Sequence, residues 1–129
     1  MRKEIFTEKG AAPVGPYSQA VVADGPFVFV SGQGPVDPAT GQMKLGSIAE
    51  QAEQVFENIT TLLEAAGTSW EHVVRVGIFL VDMDDFAEMN SIYQRYLTKP
   101  YPARTTVSTG LPVDGMLIEV DCIAVVPEA

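Results

Sequence analysis

Two charged residues stand where a strand-rich chain can least accommodate them, and they limit the folds open to it. Arg104 lies in Tyr101-Pro102-Ala103-Arg104-Thr105-Thr106-Val107, which reads as a buried strand reached through a Pro-x-Pro corner made by Pro100 and Pro102. Glu119 interrupts the otherwise apolar run Met116-Leu117-Ile118-Glu119-Val120-Asp121-Cys122-Ile123-Ala124-Val125. A guanidinium and a carboxylate on hydrophobic strands are costly unless they pair or meet a ligand. Arg104 is permanently charged and offers a planar fork of donors suited to a carboxylate. One reading is a buried ion pair that only fastens two strands. The other is a site in which Arg104 holds a small carboxylate and Glu119 handles water beside it.

The other segments supply the layers around those strands. Lys3–Thr7 reads as a short first strand, and Gly10–Pro16 as a loop ending in Gly15-Pro16-Tyr17-Ser18-Gln19. Glycine before proline sets an extended corner; it either aims Tyr17 at something specific or lets the ring pack under the loop. Ala20–Val22 and Phe27–Val30 read as two strands around the tight turn Asp24-Gly25-Pro26. The second runs into Ser31-Gly32-Gln33-Gly34-Pro35, whose glycines allow close backbone approach and free N–H groups, or are plain turn chemistry.

Ser47-Ile48-Ala49-Glu50 is a capping box. The helix it opens places Ile48, Ala52, Val55, Phe56, Ile59, Leu62, Leu63 and Ala66 on one face and stops at Gly67. Thr68–His72 reads as a short helical turn with His72 at the surface. Val73–Val81 is a long strand, apolar on both faces and so central, with Arg75 snorkelling at its start. Asp82, Asp84 and Asp85 invite a metal reading, but capping is the better one: Asp84 or Asp85 precedes the stripe Phe86, Met89, Tyr93, Leu97. Asn90 falls on or beside that stripe and faces the sheet, where an amide ties down a strand or loop. The whole is an α+β two-layer domain over residues 1–129, a mixed sheet of about six strands with two helices on one face. Strands apolar on both sides call for a homo-oligomer to bury the other face.

Composition removes several classes of function. A single cysteine, Cys122, and a single histidine, His72, argue against disulfides, zinc and a histidine-based triad. A net charge of -9 with eight scattered basic residues disfavours nucleic acid and anionic membranes as partners. The apolar run Val76–Val81 is too short to span a bilayer and Met1-Arg2-Lys3-Glu4 leads into no signal core, so a cytoplasmic location is expected.

Taken in order, Gly15-Pro16-Tyr17-Ser18-Gln19, Val30-Ser31-Gly32-Gln33, Pro102-Ala103-Arg104 and Ile118-Glu119-Val120 resemble the YjgF/RidA family, from about Ile5 to Val126. The resemblance implies a chorismate mutase-like fold and a homotrimer with clefts between subunits. It also implies hydrolysis of 2-aminoacrylate and 2-iminobutanoate to 2-keto acids and ammonia, without metal or organic cofactor. By position it implies Arg104 for the substrate carboxylate and Glu119 for the attacking water. Tyr17, Ser31, Gly32 and Asn90 would line the cleft, and Thr106, where many members have cysteine, would touch ligand through its main chain. Two departures bear on specificity: a short Thr98–Tyr101 connection, and Asp121 where those deaminases carry a second glutamate. Alternatives are a deaminase for another enamine, such as an aminomuconate-like catabolite, and a non-catalytic protein binding small carboxylates. A ribonuclease reading, also attached to the family, sits badly with the acidic charge.

Overall fold

The computed structural model describes residues 1–128; Ala129, the last residue of the span read as one domain, lies outside them. In chain order the strands are β1 (Arg2–Ile5), β2 (Ala20–Ala23), β3 (Phe27–Gln33), β4 (Val36–Asp37), β5 (Gln42–Met43), β6 (Val73–Leu80), β7 (Ala103–Ser108) and β8 (Ile118–Val125). Helix α1 (Ile48–Ala65) precedes β6, and α2 (Phe86–Tyr96) joins β6 to β7. A four-stranded sheet runs β3-β8-β6-β7, with β6 and β7 parallel and the other pairs antiparallel. The architecture is the expected α+β with a mixed sheet, but β7, read as a buried strand, lies at the sheet edge with Thr105, Val107 and Ser108 exposed.

The sheet is narrower than the sequence suggests, because β2 and β3 do not form a hairpin. β2 pairs instead with β1, in a register from Arg2↔Ala23 to Ile5↔Ala20. Proline has no N–H to give a ladder, so Pro26 ends one pairing and begins another: its carbonyl accepts from Val126 N at 2.8 Å, while Asp24 N reaches back to Met1 O at 3.1 Å. A further two-stranded ribbon, β4-β5, completes the set.

Residues alternating along the central strands separate two faces. Val76, Ile78 and Leu80 of β6 and Ile118, Val120, Cys122 and Ala124 of β8 meet Ala52, Val55, Phe56, Ile59 and Leu63 of α1 and Met89, Ile92 and Tyr93 of α2 in one buried cluster. The capping box at Ser47 forms in both directions, and Gly67 turns the chain out of α1 with φ +82°. The α2 start differs in detail from expectation. Asp82, not Asp84 or Asp85, is the capping carboxylate, accepting from Asp84 N at 2.9 Å in the short 3-10 turn Met83–Asp85. Asp85 holds the N-cap position of α2 without a side-chain bond. The second face carries Phe29, Arg75, Phe79, Thr105, Glu119, Asp121 and Ile123 and, among the described residues, has no helix over it; Phe29 there is 72% exposed.

Candidate active site

The Gly15–Gln19 motif is a fastening cassette that brings Tyr17 to Arg104. Gln19 holds the preceding loop through Thr7 N (2.7 Å), Thr7 O (3.0 Å) and Ala11 O (2.9 Å). The buried Ser18 hydroxyl shares its one proton between Glu4 Oε2 and Tyr101 O, and its N–H donates to Pro102 O at 3.1 Å, which docks the motif on the approach to β7. Tyr17 is thereby held between Gly15, whose carbonyl accepts its N–H at 2.8 Å, and Val14, whose N–H donates to its hydroxyl at 3.2 Å. Both open readings of Tyr17 are partly met: the ring packs under the loop, and it is also aimed at a partner.

That partner is the guanidinium. Arg104 Cζ stands 5.5 Å from the Tyr17 ring centre, 5.6 Å from that of Phe86 and 5.0 Å from that of Tyr93, an aromatic box suited to a cation. Asn90 Oδ1 accepts from one Nη1–H at 2.7 Å, so this amide ties down a side chain and not the backbone expected of it. Phe86, Asn90 and Tyr93 recur at helical spacing on α2, which presents all three to β7. Among the described residues no Asp or Glu comes within 4.0 Å of Arg104. Burial holds its pKa below the ordinary arginine value, while Tyr93 and Tyr17 act in the opposite sense. A half-buried guanidinium with one hydrogen bond and no counter-charge can bind an anion, and its planar fork fits a carboxylate.

Glu119 is elsewhere. Arg104 is in register with Val76, and Val76 with Cys122, a row that faces the helices. Glu119 is in register with Phe79, on the uncovered face, and β6 lies between its strand and β7. The strand-fastening ion pair is therefore not made within one chain, and Glu119 does not stand beside Arg104 there. Glu119 lies over Gly32 instead: a Cβ built on Gly32 would meet its Oε2 at 2.5 Å. Ser31 and Gly32 are exposed in the irregular stretch where the β3–β8 register shifts between Val30 and Gln33. Asp121 shares the face of Glu119, and its carboxylate lies over Gly77. The candidate residues thus fall into two groups: Arg104 with Tyr17 and Asn90 on one face, and Glu119 with Ser31 and Gly32 on the other.

Thr106 lies on the helix side of β7, in register with Ile78, and its hydroxyl is buried without a hydrogen-bond partner among the described residues. Arg75 reaches Thr105 Oγ1 at 3.2 Å, and His72 stays at the surface beside Glu71. Among the described residues no group of three His, Cys, Asp or Glu is placed to hold a metal ion, and no helix is long and apolar enough to cross a membrane. Phe86 and Tyr93 are the site residues that a reading of α2 as a core stripe passes over. Their spacing from Asn90 was the available signal, because a polar residue between two aromatics on one helix face marks a place where that face meets something charged.

The family model described as Endoribonuclease L-PSP matches residues 7–126. A RutC family protein of Pyrococcus horikoshii is 49% identical over 125 residues, covering 96% of this chain and 98% of that protein. The 2-iminobutanoate/2-iminopropanoate deaminase of Bos taurus is 40% identical over 125 residues, covering 97% and 90%. Among solved structures, RidA from the Antarctic bacterium Psychrobacter superposes with a TM-score of 0.73 at 42% identity, covering 95% of this chain and 98% of its own. The YjgF product of E. coli does so with 0.71 at 36%, covering 95% and 98%. Matched along almost its whole length, the chain belongs to the Endoribonuclease L-PSP family, the family also called YjgF/RidA.

Proposed function

We propose that the protein hydrolyses reactive 2-imino acids, such as 2-iminopropanoate and 2-iminobutanoate, to 2-keto acids and ammonia. The observation that carries this is Arg104: a half-buried cation, boxed by aromatic rings, with donors to spare and no carboxylate near it. A substrate carboxylate supplies the missing charge and accepts two parallel N–H bonds, which fixes the adjacent C=N carbon. In the iminium form that carbon is already electrophilic, so water adds without a covalent nucleophile. Glu119 orients the water, takes its proton as the C–O bond forms, and returns a proton to the nitrogen. Collapse of the resulting carbinolamine breaks the C–N bond while the hydroxyl proton passes to the departing nitrogen, releasing the keto acid and ammonium, and Glu119 ends as the carboxylate it began as.

Because Glu119 and Arg104 lie on opposite faces of one sheet, this chemistry draws them from different copies of the chain. A homotrimer that packs the uncovered faces together, with clefts between subunits, meets that need. The deaminase names of relatives about 40% identical give independent support.

The test generates the imine in place with a serine or threonine dehydratase. Semicarbazide competes for the imine while keto-acid formation is followed. The wild-type protein is expected to out-compete the scavenger. Arg104→Lys keeps the charge but not the fork, so kcat/KM should fall by roughly 30- to 150-fold, the equivalent of about 2–3 kcal/mol of charged hydrogen bonding, with Tm nearly unchanged. Full activity in Arg104→Lys rejects the clamp. Keto-acid binding without turnover in the wild type makes the protein a carboxylate binder.

A further inference from the structure

Tyr93 carries a hydroxyl that the core does not need. Its ring is fully buried and packs edge-on against Phe56, with centres 6.0 Å apart; Phe56 is braced in turn by Trp70 at 5.8 Å and by Tyr96 at 5.2 Å. Trp70 and Tyr96 both find polar partners, Thr60 Oγ1 and Glu57 Oε1, each at 2.8 Å. The Tyr93 hydroxyl is more deeply buried than either, and no hydrogen bond of full geometry reaches it among the described residues, although Arg104 lies close enough to act on it as a donor. A phenylalanine would fill the same space without leaving a polar group unpaired, and a buried unpaired group is a standing cost.

The charge beside this hydroxyl is Arg104. The guanidinium carbon is 5.0 Å from the Tyr93 ring centre, the nearest of the three rings around it. The hydroxyl feels that cation more than any other charge, although burial outweighs it and pushes the phenol's pKa up. Arginine only donates, and a neutral phenol has lone pairs to accept with. Asn90 and Tyr93 are three residues apart on α2 and so share one helix face. Asn90 Oδ1 already fixes one Nη1–H. A second acceptor on the same helix would fix the plane of the fork and turn its remaining N–H groups away from α2, toward the loop where Gly15 lies against Nη2.

We propose that Tyr93 is a positioning residue for Arg104: its hydroxyl, unpartnered here, is the acceptor toward which a guanidinium N–H settles, and with Asn90 it orients the fork that receives the ligand carboxylate. The ring alone supplies the cation–π contact; the hydroxyl supplies direction. The consequence for binding rests on the reading of Arg104 as a carboxylate clamp, whereas the orientation of the guanidinium does not.

The experiment uses Tyr93→Phe in the full chain, with three readouts. The Arg104 Nε–H signal is followed by 15N NMR and assigned by its loss in Arg104→Lys. Thermal melting and affinity for 2-oxobutanoate are measured alongside. The expected result is a melting temperature equal to or above wild type, a shifted or broadened Arg104 signal, and roughly tenfold weaker 2-oxobutanoate binding, the scale of one charge-assisted hydrogen bond. An unchanged Arg104 signal overturns the proposal whatever the affinity. So does unchanged affinity where the wild type binds, or a melting temperature that falls in step with binding. If the Arg104 signal moves but 2-oxobutanoate binds neither protein, the positioning role stands and the carboxylate clamp fails.

Discussion

Gly32→Ala should silence Glu119 without touching the fold. Gly32 is exposed and is not among the positive-φ glycines, so alanine suits its backbone. The obstacle is the carboxylate opposite. A Cβ at Gly32 would stand 2.5 Å from Glu119 Oε2, 2.9 Å from Cδ and 3.2 Å from Cγ. Ordinary contact lies near 3.5 Å, so the tip of Glu119 must withdraw by about 1 Å. Glu119 is half-buried and flexible at that end, which keeps the change in stability within about 0.5 kcal/mol. Catalysis is less forgiving, since a misplacement of about 1 Å can cost on the order of a hundredfold. The expected outcome is a fall of about 100-fold in kcat/KM in the imine competition assay, with Tm and 2-oxobutanoate affinity unchanged. Glu119→Gln should lose at least as much. The double variant should lose no more than Glu119→Gln alone, because both changes remove one function. Normal turnover in Gly32→Ala, or losses that multiply in the double variant, would refute the role given to Glu119.

Two further expectations concern the core. Gln51 is fully buried and binds three backbone groups, donating to Gly46 O (3.1 Å) and Gly115 O (2.9 Å) and accepting from Leu117 N (2.8 Å); Gln51→Ala should cost about 3 kcal/mol and lower Tm by about 10 °C, while activity per folded molecule at 25 °C holds. Burial pushes the Cys122 thiol up to about 12, so iodoacetamide at pH 8 should label it only in denaturant. Its folded pKa lies above the ordinary value of 9.0, so the neutral thiol's contribution to stability is complete below pH 9 and is lost as pH rises toward 12. A thiol labelled at the same rate with and without denaturant contradicts that burial.

Periodicity carried most of the fold. The α1 stripe with its capping box and the α2 stripe survive in the structure except at Leu62 and Phe86, which stand exposed, while β8, read as apolar on both sides, buries one alternate row, Ile118, Val120, Cys122 and Ala124. The strand pairing was less legible: Asp24-Gly25-Pro26 looks like a hairpin turn, and only the partners chosen by Met1 and Val126 show that it separates two ribbons. The site shows the same limit. Arg104 stands out as a charge on a β-prone strand, yet its relation to Glu119 depends on register, on which strand lies between them, and on which face each presents. Those are non-local facts that no spacing within either motif encodes. Asp82 as the α2-side cap, and Tyr93 as a neighbour of Arg104, were hidden by rivals of the same chemistry one turn or less away.

On the proposed reaction, the opposed faces of Arg104 and Glu119 would also set how activity scales with the amount of protein. No side-chain rotation carries Glu119 through the sheet, so a reaction that needs both groups waits on the meeting of separate chains. On the proposed reaction a newly made, solitary copy would be inert, and output would rise more steeply than in proportion to synthesis until assembly saturates. Small changes in expression at the low end would then act as a threshold on the chemistry, with no regulatory ligand required.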